Sequence, residues 1–172
     1  AGLGGAVFQM FNHGTISAML FILVGVIYDR AHHREIEGFG GLAAQMPIYT
    51  GICAMVFFAG LGLPGFSGFI SEAMCFIGAF PIYKGIVIAS TIGILLNAAY
   101  FLWAFQRIFF GKLNEKYTDL PEINNRELFT VVPLLIITLF FGIYPAPYLD
   151  IISSTMDVII NHVVTMATIS GM

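Results

Sequence analysis

From Gly85 to Gln106 the chain carries no charged residue, and from Leu128 to Tyr144 it again carries none. A helix needs about 20 residues to cross a hydrocarbon core of about 30 Å, and buried helices of soluble proteins are rarely so long without charge. Two further stretches are nearly as apolar: residues 2–28, which contain His13, and residues 47–80, whose one charge is Glu72. Composition agrees, with 10% charged residues and a mean hydropathy of +0.89. Soluble domains carry about 25% charge, so this chain has too little to cover a surface facing water. The expectation is an all-α integral membrane protein forming a single membrane domain over residues 1–172. About four transmembrane helices are expected, near 2–28, 47–80, 85–107 and 128–145, followed by an amphipathic helix at 148–168.

The second stretch is too long for one simple crossing, since continuous helix at about 1.5 Å per residue would overshoot the bilayer. Its middle reads Gly60-Leu61-Gly62-Leu63-Pro64-Gly65-Phe66-Ser67-Gly68. Proline removes a backbone donor and clashes with the preceding turn, and glycine resists fixed helical dihedrals. A discontinuous helix is therefore expected, broken near 60–68 around Pro64 and Gly65. Irregular backbone at membrane depth persists only where protein or a wet cavity surrounds it, so the break points inward. A simple proline kink is the plainer alternative.

Charge sets the topology. Arg30, Arg34, Arg107, Lys112, Lys116 and Arg126 flank one end of the spans, and Lys84 alone flanks the other. Lys and Arg accumulate on the cytoplasmic side, so both long loops are expected in the cytoplasm, or in the matrix of an organelle. In the tail, Asp150, Ser153, Ser154, Asp157, Asn161 and Thr165 recur at helical spacing opposite Leu149, Ile152, Met156, Ile159, Val163 and Met166. That helix lacks the basic face of an anionic-lipid binder, and a protein neighbour is expected for it. The apolar spans themselves call for lipid. The net charge of −3 is small and dispersed, which argues against nucleic acid. Ala1 opens directly into apolar sequence, with no initiator Met and no signal-peptide pattern, as expected of a piece of a longer chain.

Glu72 is the foremost candidate for chemistry. A carboxylate within a span costs at least about 2–4 kcal/mol and normally faces a bundle interior, often on an ion or proton path. A static ion pair with a Lys elsewhere in the protein is the alternative. His13 follows, because imidazole can relay a proton between its two nitrogens near neutral pH; a core histidine bonded to a backbone carbonyl would look the same. Asn12, Ser17, Ser67 and Ser71 are the supporting polar path, with Ser17 on the helix face of His13. Asn97 is read as a contact between helices and Lys84 as an interfacial residue. His32 and His33 stand in a charged loop and are expected to be solvated. Cys53 and Cys75 lie in apolar runs and read as buried thiols. No phosphate loop, nucleophile triad, Cys-x-x-Cys or metal-ligand spacing is present in the sequence. No redox centre, substrate site or metal site is therefore expected in this chain.

Two motifs resemble one family. Residues 12–30, Asn-His-Gly-Thr-Ile-Ser-Ala-Met-Leu-Phe-Ile-Leu-Val-Gly-Val-Ile-Tyr-Asp-Arg, and residues 62–72, Gly-Leu-Pro-Gly-Phe-Ser-Gly-Phe-Ile-Ser-Glu, are similar to the antiporter-like proton-pumping subunits of respiratory complex I. The resemblance covers nearly the whole chain in order. It is closest to the M type (the mitochondrial chain-4 type), because Glu72 stands where L- and N-type subunits have Lys. It implies a protein of about fourteen spans built from two inverted repeats, of which this chain would be the C-terminal portion. It assigns Glu72 to the outlet of a half-channel and His13 to a relay on the central hydrophilic axis. The input half-channel of the family has no counterpart here, so this chain alone could not pump. The resemblance further implies L- and N-type neighbours in a bacterial cell membrane or mitochondrial inner membrane. NADH, FMN, iron–sulfur clusters and quinone would belong to partner subunits of the NADH:quinone oxidoreductase. A subunit of a cation/proton antiporter or membrane-bound hydrogenase, or a structural scaffold with Glu72 in a permanent ion pair, are the rival readings.

Overall fold

The computed structural model describes residues 2–170, which form six α-helices: α1 (Gly2–Ala31), α2 (Pro47–Gly60), α3 (Ser67–Ala79), α4 (Lys84–Phe109), α5 (Asn125–Ile143) and α6 (Ala146–Ser170). No strand occurs among the described residues, and the fold class is the all-helical membrane protein that the apolar runs require. The long apolar helices α1, α4 and α5 each suffice in length and composition to cross a membrane, while α2 and α3 are shorter apolar helices. The protein is membrane-embedded.

Helix α1 is the centre of the bundle. It packs most broadly on α3 and also meets α2, α5 and α6. Ile16, Met19, Leu23, Val26 and Ile27 form its buried stripe, the i, i+3, i+4, i+7 repeat of a helix with one apolar partner face. Against that stripe lie Leu42, Met46, Tyr49, Cys53 and Val56 from α2 and its approach, together with Phe105, Phe109, Val131 and Leu135. Towards α3 the contact is closer. A Cβ at Gly5 would come within 2.7 Å of Met74 Cβ and 2.9 Å of Cys75 N. Small residues let membrane helices approach backbone to backbone, and α1 uses Gly5 in this way. Gly142 plays the same part in α5, where a side chain would run into the backbone of Gly65 and Phe66.

Polar groups at one end of the bundle are tied together. Arg30 donates from Nη1 and Nη2 to both carboxylate oxygens of Glu127 at 2.9 and 2.8 Å and to the carbonyls of Val26 and Glu122, and from Nε to the carbonyl of Pro121. Glu127 also closes a capping box with Asn124 at the start of α5. The Glu122 carboxylate accepts from the backbone N–H groups of Ile48 and Tyr49, at 2.9 and 3.1 Å. These are the otherwise unpaired donors of the first turn of α2, which begins at Pro47. The two polar loops meet at the same end, with Gly41 N–H donating to Phe110 O and the Asn114 side chain to Gly38 O. His33 departs from the solvated position expected of it. Its ring stacks on Phe39 at 4.4 Å, and Nε2 is hydrogen-bonded to the Tyr117 hydroxyl. The two polar loops fold onto each other, and that contact gives the ring partners no reading of one loop alone would supply.

Helix α6 docks only by its first turns, where Tyr148 stacks between Phe8, Phe11 and Phe141 of α1 and α5. Beyond Met156, the described side chains on both of its faces are exposed. Cys53 is buried and Cys75 only half-buried, so the second thiol is less enclosed than its apolar run suggested.

Candidate functional site

Between α2 and α3 the backbone leaves the helix from Leu61 to Phe66. Gly62 and Gly65 take left-handed conformations, with φ of +71° and +104°, which L side chains adopt at a cost. Pro64 sits between them, exposed, and cannot continue the α2 hydrogen-bond ladder. The turn is not left unpaired. Leu63 N–H donates to Phe58 O, and the carbonyl of Gly60 accepts from the Asn97 side chain on α4 at 2.9 Å. The contact between helices read for Asn97 is thus a bond to the C-terminal end of α2.

Glu72 lies in the second turn of α3 and is half-buried. Its carboxylate bends back over the break. A Cβ placed on Gly62 would lie 2.7 Å from Glu72 Oε2, so the glycine is needed twice at this point, for its dihedral and for the room it leaves. No Lys or Arg pairs with this carboxylate among the described residues; the ion pairs there are Arg30–Glu127 and Arg107–Glu37.

Beside Glu72, α1 and α3 share a buried polar contact. Asn12 Nδ2 donates to Ser71 Oγ at 2.8 Å and to Ser67 O at 3.0 Å. The Ser71 hydroxyl lies within hydrogen-bond reach of Gln9 Oε1 and of the Ser67 and Gly68 carbonyls. Asn12, Ser67 and Ser71 are fully enclosed, yet Asn12 Oδ1 and Ser67 Oγ have no hydrogen-bond partner among the protein groups described.

The polar candidates thus divide. Asn12, Ser67, Ser71 and Glu72 come together at the break, with Pro64 and Gly65 forming the turn. His13 is exposed on another side of α1, and Ser17 is half-buried away from the network. Gln9 was not among the sequence candidates. Its one signal is that it precedes Asn12 by three residues and so shares its helix face. Gly62 as the neighbour of the carboxylate had no sequence signal beyond its place in the break.

A membrane bundle with an ionisable side chain folded against a broken helix is the arrangement of ion- and proton-translocating membrane proteins, in which discontinuous helices build the site. The chain belongs to the NADH:quinone oxidoreductase/Mrp antiporter transmembrane family, whose model matches residues 1–97. It is 40% identical to NADH-quinone oxidoreductase subunit M of Rhodobacter capsulatus over 94% of this chain and 32% of that protein. It is 37% identical to F(420)H(2) dehydrogenase subunit M of Methanosarcina mazei, over 92% of this chain and 32% of that protein. The fold matches a chain of respiratory complex I from Thermus thermophilus with a TM-score of 0.78 and 27% identity, covering 83% of this chain and 30% of that one. The chain therefore spans about a third of the length of its curated relatives.

Proposed function

We propose that this chain forms the outlet part of a proton-translocating M-type subunit in an NADH:quinone oxidoreductase, with Glu72 as the group that takes up and releases the proton. The observation that carries this is a carboxylate without a basic partner among the described residues, held over an unwound segment. Such a group changes charge when neighbouring charges rearrange, whereas a carboxylate in a permanent pair would stay ionised. His13 is exposed on α1, outside the Asn12–Ser71 contact, where the remaining two-thirds of the subunit would supply the central axis. In this reading His13 feeds that axis rather than touching Glu72. The redox chemistry lies in partner subunits, which hold NADH, FMN, iron–sulfur clusters and quinone, and L- and N-type subunits flank this one. The basic loops face the cytoplasm or matrix, by the count of Lys and Arg.

The relative from Methanosarcina mazei favours a second reading of the complex, though not of the site: the same proton path driven by a donor other than NADH. Purification in mild detergent separates the two through the input subunits that accompany the chain. The site itself is tested by Glu72→Gln in the assembled complex. Assembly is expected to be preserved and proton translocation strongly reduced, with Glu72→Asp retaining part of it. A normal proton-to-electron ratio in Glu72→Gln vesicles would overturn the reading.

A further inference from the structure

Asn97 stands in the middle of a span without charge, and its place on α4 is regular. Asn97, Phe101, Phe105 and Phe109 recur every four residues, so they form one stripe along one face of the helix. That stripe meets α2. Phe57 lies edge-on to Phe101 with ring centroids 5.3 Å apart, and packs on Phe105 and Phe109 at 5.4 and 6.4 Å. Leu95, Leu96 and Tyr100 beside the stripe are exposed, while Asn97 is half-buried and bonded to α2. The aromatic rings supply adhesion along this seam. The hydrogen bond at its head acts over about 3 Å and supplies the register.

That bond replaces one that the sequence removes. In a continuous helix the carbonyl of Gly60 accepts from the N–H of residue 64, and Pro64 has none. Asn97 Nδ2 donates to this carbonyl instead, at 2.9 Å. The helices are close here, since a Cβ on Gly60 would lie 3.0 Å from Phe101 Cζ. Two residues further on is Gly62, against which the Glu72 carboxylate lies. From this arrangement we infer that Asn97 is a positioning residue for Glu72: its amide supplies the donor that Pro64 lacks, pins the end of α2 to α4, and so fixes the turn on which the carboxylate is seated. An unpaired carbonyl is costly at membrane depth. Without Asn97 the turn must rearrange to pair that carbonyl, and Gly62 moves with it. The inference rests on the proposed proton-exchanging role of Glu72 for its functional meaning.

The test uses the complete assembled complex. Asn97→Leu keeps the branched shape and removes the donor; Asn97→Ser, too short to reach Gly60, takes its place if that variant fails to assemble. Proton translocation per complex is expected to fall roughly fivefold, the scale of one hydrogen bond between neutral groups. Its pH profile is expected to shift, because the carboxylate meets altered surroundings. A cryo-electron microscopy map should show the turn at 61–66 displaced from α4. Asn97→Gln retains the donor and should recover part of the rate. Phe101→Leu weakens the same seam but keeps the bond, and should lower the melting temperature while leaving the turn and the pH profile in place. An unmoved turn in the assembled Asn97 variant, or an equal displacement in Phe101→Leu, overturns the inference. So does a moved turn with the parental rate and pH profile where Glu72→Gln abolishes pumping. A moved turn together with a normal proton-to-electron ratio in Glu72→Gln would leave Asn97 as the residue that positions the break and remove the proton-exchanging role.

Discussion

The bundle holds two polar clusters on α1, and they are built on opposite principles. At the loop end, Arg30 is engaged by Glu127 and three carbonyls, and Glu122 satisfies the first donors of α2. Arg30, Glu127 and Glu122 each have a partner of complementary geometry, the bidentate fork among them. At the break, Asn12 Oδ1 and Ser67 Oγ have no partner among the described protein groups, and Glu72 lies against a glycine where Arg30 has a carboxylate. A fully paired cluster has one low-energy state and serves as a clasp. A carboxylate without a basic partner can change charge when its neighbours do, which the proposed proton exchange requires. The difference between the two lies in the partners, since a charged or amide side chain alone would look equally important in either place.

Mutations should separate the clasp from the site in a graded order. The largest effect on stability is expected at Arg30→Ala, which strands Glu127 and frees three carbonyls. The pair is mostly enclosed, with side-chain exposures of 9% and 19%, and about 3 kcal/mol should be lost. The lowered melting temperature of the purified complex would show it, and Arg30→Lys should recover only part because the fork is gone. An unchanged melting temperature would place this cluster with ordinary surface ion pairs.

Gly62→Ala should follow, at about 1–2 kcal/mol, from a left-handed residue that also crowds Glu72 Oε2. It is expected to reduce translocation as well, because the added methyl pushes the carboxylate off the break. Stability and pumping measured on one preparation would test whether both move. Asn12→Leu comes next, at about 1 kcal/mol: bonds to Ser71 and Ser67 are lost, but the unsatisfied Oδ1 is lost with them. A much larger loss would show that Oδ1 has a partner in the complete subunit. The smallest stability effect is expected at Glu72→Gln, about 0.5 kcal/mol or less, with the largest effect on translocation. Thermal unfolding that moved by several kcal/mol there would make Glu72 a second clasp and erase the contrast.

The loop lock of His33, Phe39 and Tyr117 shows how far reading along the chain can reach. Each residue is unremarkable in its own segment, and the stack exists because α1 and α4 end on the same side. Gln9 was missed for a related reason. A glutamine among apolar residues resembles any other interhelical contact until the partner helix shows which groups it faces. His13 and Asn12, by contrast, are neighbours in sequence, and adjacent positions on a helix point about 100° apart. Nothing in their order says which of the two meets α3.

What the amino acids determined alone were the terms that add up locally: uncharged runs long enough to span, glycines and a proline that interrupt one of them, and a carboxylate too costly to face lipid. These follow from solvent transfer and backbone dihedrals, which depend on residue type and spacing. Tertiary structure decided the rest. It set the face of α1 that meets α3, the closeness that Gly5 and Gly142 permit, and the seat of the Glu72 carboxylate against Gly62. It also made Arg30 a satisfied clasp and joined Asn12 to Ser67 and Ser71. Hydrogen bonds are directional and act over about 3 Å, so their partners become defined only when helices distant in sequence have packed.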